Sequence, residues 1–514
     1  MKDEVNFEAA LLTWSVRFRR HIPSFILYPS AFILLILCGL LFFKGIASRE
    51  MWASHEARSA QNAQDILDDG NWGLPRLYDG QVELQKPPGF YWLVALVGWL
   101  LGGVDEWAVR LPAAIAGTLT VLLVWQHLRG RVRPVAAFVA ATVLAGAVHF
   151  TGTARIGRID VPLACVVTAI MLSARSALGE RSGVSRPMIS SVGIGVLAGI
   201  ALLLKGPIGV ALPAAALSAL VLIERISIRP SIRPAMVAGV VALAIAAPWF
   251  LWANAETDGE LYRVFILHHH FHRAFGGSES LAGHPWWYYL PRFAADFLPW
   301  TPLLLAALAL RQWRGDSDAR FGLIWLLAMI ALLSLSRFKR ADYLLPSYAG
   351  AAIFLGCAME RWYLSRTRRV QARAAVGFAI ILLSLPVGWI VFDRLVTSQE
   401  EAARDQRPFA RQIREIAPAP QAVMLFRVES HLLVYHLGRP VHTLVEWADL
   451  QAAIREPGAH FVVTRAEFLD EVRAQVAVPL TVVVHSGDSA ASRPSHPLVL
   501  LRIGNEPWPT PPRD

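Results

Sequence analysis

Apolar and polar positions alternate along this chain on the scale of whole helices. Apolar stretches of roughly 17 to 25 residues, parted by short polar loops, lie near 24–43, 107–128, 134–152, 161–178, 188–204, 207–223, 235–253, 286–310, 320–336, 341–359 and 374–393. The piece from Gly89 to Gly103 is shorter. At about 1.5 Å per residue it reaches roughly 22 Å, against a hydrocarbon core near 30 Å, so it is expected to lie at the interface, to re-enter, or to pair with another short span. The pattern predicts an all-α polytopic membrane protein over residues 1–393, with about 11 to 13 transmembrane helices and additional interfacial helices. Beyond residue 393 the period changes. Short apolar runs at Ala422–Phe426, Pro440–Leu444, His460–Thr464 and Leu480–His485, separated by amphipathic stretches, predict a small α/β domain over 394–514. It has no GxGxxG or P-loop motif, and Pro507 to Pro512 reads as a disordered end.

Composition agrees, since 55% hydrophobic and 17% charged residues over 514 positions do not describe a soluble globule. The net charge of +10 would suggest nucleic acid in a soluble chain, but here short Arg-rich loops between apolar runs account for most of it, so no nucleic-acid partner is expected. Arg17, Arg19 and Arg20 precede the Ser24–Phe43 stretch, which reads as an uncleaved first span with a cytoplasmic start. The loops at Arg129–Arg133, Arg175–Arg186, Arg225–Arg233, Arg311–Arg320 and Arg361–Arg369 then fall inside by the positive-inside rule. Segments 46–106, 153–160, 254–285 and 337–341, and the domain 394–514, fall outside. The three cysteines, Cys38, Cys165 and Cys357, sit in apolar runs without metal-ligand spacing.

Nearly all the unusual polar chemistry belongs to those outer segments. Glu56 heads the helical stretch Glu56–Asp69, either as a general base or as a carboxylate stabilised at a helix N-terminus. Asp160 starts an apolar run beside Arg155 and Arg158, either for catalysis or in a structural Arg–Asp pair. Lys86 precedes Pro87-Pro88, which hold it in a stiff extended segment. Lys205 interrupts an apolar run at a depth where an ammonium needs a partner, a function, or a route to the interface. Arg337, Lys339 and Arg340 lie outside, against the positive-inside bias, ahead of Tyr343; an anion such as phosphate is their natural partner. The histidines around His268 and His269 permit a divalent metal without diagnostic spacing. The aromatic run Trp286–Tyr289 fits an interfacial belt or a sugar-stacking platform.

The ordered series HEARSAQNAQDILDDGNWGLPRL, LQKPPGFYWLVAL, EWAVRLPAAIAGTLTVLLV, RIDVPL, LLLKGPIG, HPWWYYLPRF and SLSRFKRADYLLP resembles the GT-C membrane glycosyltransferases, the family that includes protein O-mannosyltransferases and the lipid A aminoarabinose transferase. The resemblance covers about residues 25 to 360. It implies a helical bundle around an outward-facing cavity, where a sugar moves from a polyprenyl-phosphate donor to a lipid, glycan or protein acceptor at the outer face of the bacterial cytoplasmic membrane. Glu56 and Asp160 would be the catalytic carboxylates. Arg58, Lys86, Arg273 and Lys339, with Tyr343 nearby, would hold the donor phosphate, and Lys205 and Arg337 are further cations for it on the same side. The chain has His55 where the family commonly has Asp, Gln85 where the lipid A branch commonly has Glu, and Ser59 where a tyrosine often stands. These differences argue against the aminoarabinose reaction itself. The expected step is an inverting displacement at the anomeric carbon, with a retaining course as the alternative. The alternatives are a transporter using Asp160 and Lys205 as an ion or substrate pathway, and a lipid-binding scaffold without catalysis.

Overall fold

The computed structural model describes residues 29–504, apart from 52, 132, 180–186, 273–275, 277–282, 456, 457, 459 and 488–495. The N-terminal arginines, Arg273 and the proline-rich end lie outside the described residues.

Every predicted apolar stretch forms helix where it is described. In chain order these are α1 (Pro29–Cys38, continued by a π-turn Gly39–Phe43), α2 (Ser54–Asp69), α3 (Gly89–Leu101), α4 (Glu106–Gly130), α5 (Pro134–Gly146), α6 (Val148–Ala154), α7 (Asp160–Gly179) and α8 (Pro187–Lys205). They continue with α9 (Ile208–Ile223), α10 (Arg229–Glu256), α11 (Tyr289–Asp296), α12 (Thr301–Leu310), α13 (Ser317–Ser334), α14 (Leu345–Leu364) and α15 (Arg368–Phe392). Local chemistry sets several ends. The Asp105 carboxylate caps α4 by accepting the Ala108 N–H at 2.8 Å, and Asp316 caps α13 by accepting from Asp318 and Ala319.

Among the described residues, five helices are long and apolar enough to cross a membrane, or seven if each of two bent pairs counts as one span. The bends are 66° between α5 and α6, and 110° between Trp286–Asp296 and α12. The helices around α1, α3, α8 and α9 are shorter apolar ones; at about 1.5 Å per residue a 16-residue helix reaches only ~24 Å. The apolar pattern reports burial, and is blind to a break at Ala147 or at Phe297–Trp300 that splits one apolar run into two rods.

The bundle has two chemically different ends. At one, loops expected on a common face converge into an ion-pair cluster: Arg133 meets Asp316 at 2.8 Å and Glu360 at 2.7 Å, Arg131 meets Asp318 at 2.9 Å, and Arg320 meets Glu224 at 2.6 Å. The helices α4, α7 and α14 run from the other end, where their N-termini lie, to this cluster.

Beyond α15 come α16 (Ser398–Arg404), α17 (Arg407–Ile416), α18 (His431–Leu437), α19 (Trp447–Ala453) and α20 (Leu469–Gln475), with strands β1 (Val423–Phe426), β2 (His442–Leu444), β3 (His460–Arg465), β4 (Leu480–His485) and β5 (Leu498–Ile503). They form one sheet in the order β2-β1-β3-β5-β4, parallel across β2-β1-β3 and antiparallel across β3-β5-β4. The four expected strands are present; the fifth, β5, was missed, and it fills the gap between β3 and β4. This sheet domain is fastened to the helical part. Glu50, fully buried, meets Arg407 Nε at 3.0 Å and His436 Nε2 at 2.9 Å. Gln61 on α2 donates to the His431 carbonyl at 2.7 Å, and the Tyr435 hydroxyl donates to the Val104 carbonyl.

One arginine knits the second end together. Arg110, four residues into α4 and wholly buried, grips Glu56 with Nε (2.6 Å to Oε1) and Nη2 (3.1 Å to Oε2). Its remaining N–H groups donate to the carbonyls of Ile46 (2.7 Å), Arg49 (2.8 Å) and Glu50 (2.7 Å), so all five guanidinium donors are used. Glu56 Oε1 also accepts the Gly157 N–H at 2.8 Å. Four segments, 46–50, α2, α4 and 155–160, thus share one buried ion pair. At Gly157 a Cβ would stand 2.2 Å from Val109 Cγ1 and 2.8 Å from Val109 O, so only glycine lets this backbone approach.

Arg110→Met leaves Glu56 buried and unpaired, and is expected to cost about 3–5 kcal/mol of unfolding free energy. Adding Glu56→Met removes the orphaned charge. In a double-mutant cycle followed by unfolding in detergent, the double variant should be more stable than the sum of the singles by at least ~1 kcal/mol; strictly additive losses would contradict the pairing.

Candidate functional site

A cleft with about 730 Å3 of free space, open to solvent, lies where α2, α3 and α7 begin and α8 ends. His55 and Ser59 reach it from the first turns of α2, spaced i, i+4 on one face. Gln85 and Lys86 come from the extended segment that Pro87-Pro88 stiffens, and Phe90 and Tyr91 from the start of α3. Arg158 and Asp160 come from the entry to α7, Lys205 from the end of α8, and Arg340 and Tyr343 from the turn before α14. His269 reaches it from a π-helical segment, Tyr262–His272. Three helix N-termini meeting here add to the positive potential.

The cleft's charges form a chain. Asp160, 4% exposed, pairs with the Lys205 ammonium and lies 3.5 Å from Arg158 Nε. The Lys205 ammonium also stands 4.5 Å from the centre of the Tyr343 ring. Arg158 passes its other side to Asp342 at 2.8 Å. Asp342 is held from behind by His149 at 3.1 Å and from the front by Arg340 at 3.5 Å. Burial pushes the Asp342 carboxyl up, but the His149 hydrogen bond and the Arg158 and Arg340 charges more than offset this and hold it well below the usual carboxylate range.

His55 stands between two cations, with Lys86 Nζ 3.5 Å from Nδ1 and Arg340 Nη1 3.4 Å from Nε2. Burial, then Lys86, Arg158 and Arg340, push its pKa down to about 2, so the imidazole is neutral at any ordinary pH. A neutral imidazole accepts at only one nitrogen, which leaves one of the two cations without that bond. Lys86 has no carboxylate within ion-pair distance among the described residues. Burial lowers its pKa to about 8, against the partial support of Glu83 and Asp160.

The residues expected at the site divide. Asp160, Lys86, Lys205 and Tyr343 line the cleft, and His269 joins them. Glu56 does not; both its oxygens are turned away onto Arg110 and the Gly157 N–H. Arg58 sits at the rim, bound to Glu83 at 2.6 Å and to the Gln85 side-chain oxygen at 3.1 Å. Lys339 is buried with its ammonium on the carbonyls of Ser336 and His284, and the exposed Arg337 is not among the lining residues. Arg155, expected beside Asp160, instead binds Asp393 at 2.6 Å. Arg273 lies outside the described residues. Among the described residues no three His, Cys, Asp or Glu side chains cluster closely enough to hold a metal. The His268 ring stands 5.2 Å from that of His269 and 6.1 Å from that of His272.

Arg340 was read with Arg337 and Lys339 as a cation for an anion and does line the cleft; Arg158, His55 and Asp342 were not singled out as site residues, although each lies within two residues of one that was. Arg110 and His149 were missed outright. Their only signal in the sequence is a lone charged or imidazole side chain at the edge of an apolar helix.

Residues 85–252 match the family described as dolichyl-phosphate-mannose-protein mannosyltransferase. The chain is 30% identical over 351 residues to an undecaprenyl phosphate-alpha-4-amino-4-deoxy-L-arabinose arabinosyl transferase 2 of Pseudomonas fluorescens, covering 66% of this chain and 57% of that protein. It is 31% identical over 363 residues to the corresponding arabinosyl transferase of Pseudomonas savastanoi pv. phaseolicola, covering 70% and 66%. The chain therefore spans somewhat less than two thirds of these curated relatives. Among solved structures it is similar in fold to ArnT from Cupriavidus metallidurans bound to undecaprenyl phosphate, with a TM-score of 0.75 at 19% identity over 91% of this chain and 97% of that one. The Archaeoglobus fulgidus oligosaccharyltransferase in its apo form gives a TM-score of 0.55 at 13% identity over 86% and 70%. The ordered motifs, the shared fold and these sequence relatives agree that the chain belongs to the GT-C membrane glycosyltransferase family.

Proposed function

We propose that this chain transfers a sugar from a polyprenyl-phosphate donor to a lipid, glycan or protein acceptor, and does so in the cleft around Asp160. The observation that carries the reading is the cleft's charge: Lys86, Arg158, Lys205 and Arg340 line it together with a single carboxylate, Asp160. Such an excess of cations calls for an anion. The fold neighbour crystallised with undecaprenyl phosphate, and the relatives named for undecaprenyl-phosphate sugars, support a lipid-linked phosphate.

Lys86, Lys205 and Arg340 would receive the donor phosphate, with Tyr343 supporting Lys205 from its ring face. As the bond to the anomeric carbon lengthens, the sugar gains oxocarbenium character and charge grows on the departing phosphate. The cations stabilise that charge in place, without having to reorganise. Asp160 is kept ionised by Lys205 and Arg158 and retains lone pairs for an acceptor hydroxyl. It would take the hydroxyl proton as the oxygen attacks from the face opposite the phosphate, an inverting course. Where the acceptor is itself a phosphate, Asp160 would orient it instead. Glu56, locked on Arg110, would hold the 157–160 segment, and so Asp160, in place. Arg58 acts through Gln85 at the rim. Arg337 and Lys339 shape the turn that carries Arg340.

The cleft would open at the outer face of the cytoplasmic membrane, with the N-terminus and the Arg131/Arg133 cluster on the cytoplasmic side and the 394–514 domain outside. The transporter alternative gains little, because Asp160 and Lys205 form one ion pair where α7 begins and α8 ends and the matched proteins are transferases.

Asp160→Asn in purified protein is expected to lower kcat by about 10²- to 10⁴-fold while binding of undecaprenyl phosphate changes little. Retained turnover would remove Asp160 from the chemistry. Gly157→Ala should displace the same segment and cost about 10²-fold in turnover; wild-type turnover in a folded variant would contradict the positioning role of Glu56.

The pH dependence follows from Lys86. In the free cleft its ammonium is lost as pH rises through about 8, and a bound phosphate raises that pKa. Donor affinity is therefore full below about pH 8 and declines above it, roughly tenfold per pH unit until the bound-state pKa is reached. Measuring the donor KM from pH 6.5 to 10 tests this. A profile flat through pH 9, or one still sloping after Lys86→Met, would assign the titration elsewhere.

A further inference from the structure

We infer that the sugar carried by the donor has no positive charge: the cleft is built for a neutral, hydroxyl-bearing sugar and lacks a place for an ammonium group. The inference rests on the glycosyltransferase reading above and narrows its substrate class. It also separates this chain from the relatives whose names specify a 4-amino-4-deoxy sugar.

The argument is a census of the carboxylates that could face a cationic substituent. Asp160 is the only carboxylate among the cleft-lining residues, and it already serves Lys205 and Arg158. Asp342, just behind, is divided among Arg158, Arg340 and His149. Glu83 gives one oxygen to Arg58 at 2.6 Å and the other to the Gln85 N–H at 2.9 Å. Glu56 is consumed by Arg110 and the Gly157 N–H. Among the described residues no carboxylate near the cleft is left over, and Lys86 has none within ion-pair distance. An ammonium entering here would add a positive charge to a site that already has four cations in its walls, and would have to take Asp160 from the acceptor hydroxyl.

What remains for the sugar is polar and uncharged. The Ser59 hydroxyl donates to the His55 carbonyl at 2.7 Å and keeps its acceptor lone pairs. The Gln85 amide nitrogen has two donors while its oxygen takes Arg58. The His55 imidazole is neutral between its two cations, as described above. Hydroxyl, amide and imidazole groups are what a polyhydroxylated ring pairs with. A single lipid phosphate takes up part of the cationic excess, and the neutral groups read the ring.

The test uses the full chain in nanodiscs at pH 6.5, where an amino sugar is protonated. The ligands are bare undecaprenyl phosphate and its conjugates with a neutral hexose, a 4-amino-4-deoxypentose and a hexuronic acid. The neutral conjugate is expected to bind at least about tenfold more tightly than the amino sugar. Equal or tighter binding of the amino sugar or of the uronic acid, or no discrimination among the three, overturns the inference while leaving the lipid-phosphate reading intact. Failure of bare undecaprenyl phosphate to bind overturns that reading as well. Gln85→Glu adds a carboxylate of nearly the same shape beside Arg58, which already serves Glu83. Provided this variant still binds the bare lipid phosphate, it should bring the amino sugar about tenfold closer to the neutral one; an unchanged ratio counts against the charge argument.

Discussion

The Arg110–Glu56 ion pair is the constraint on which the rest of the cleft end of this molecule depends. Burying a guanidinium and a carboxylate together is tolerable only when every donor and acceptor is met, and here all five guanidinium donors are. Satisfying them draws four chain segments to one point. One of them carries Gly157, and three residues later Asp160 begins α7. A carboxylate that looks catalytic from its place at the head of α2 thus sits behind the cleft wall, bound to the segment that carries the carboxylate facing the cleft.

From that point the electrostatics of the cleft follow. Helix ends and loops bring cations to its wall from four different parts of the chain, and Asp160 and Asp342 thread three of them into an alternating sequence of Lys205, Asp160, Arg158, Asp342 and Arg340. Alternation keeps the cations apart and pointed in fixed directions before any ligand arrives, which is the preorganisation that makes charge stabilisation effective. Lys86 stands outside the alternation and carries the burial cost in its lowered pKa. The neutral His55 separates it from Arg340. The sheet domain is held against the same structure, through Glu50 on the segment whose carbonyls Arg110 also binds.

Much of this was legible in the sequence because membrane proteins write their fold in long apolar runs. Each such run is helical where described, two of them as bent pairs, the 89–101 piece is as short as its composition required, and the Arg-rich loops placed together by charge bias do converge. Charge against the expected bias drew attention to 337–340, and ionisable groups at the edges of apolar runs picked out Asp160 and Lys205. What stayed hidden was direction. Arg337, Lys339 and Arg340 are near neighbours with the same charge, yet Arg340 alone lines the cleft, because a 3-10 turn follows it and the Lys339 ammonium is needed by the carbonyls of Ser336 and His284. Pairing across the chain was equally invisible: Glu56 finds Arg110, and Arg155 finds Asp393, over separations that no local pattern encodes. β5 was missed because its short apolar run resembles buried coil until β3 and β4 flank it.

The most direct measurement is mass spectrometry of envelope lipids, glycans and glycoproteins from cells with and without this protein. Loss of one glycosylated species, with its polyprenyl-phosphate sugar accumulating, is the predicted result, and the accumulated donor would reveal the sugar. An unchanged set of glycoconjugates, under conditions where the protein is abundant in the wild-type cells, would contradict a transferase built around Asp160.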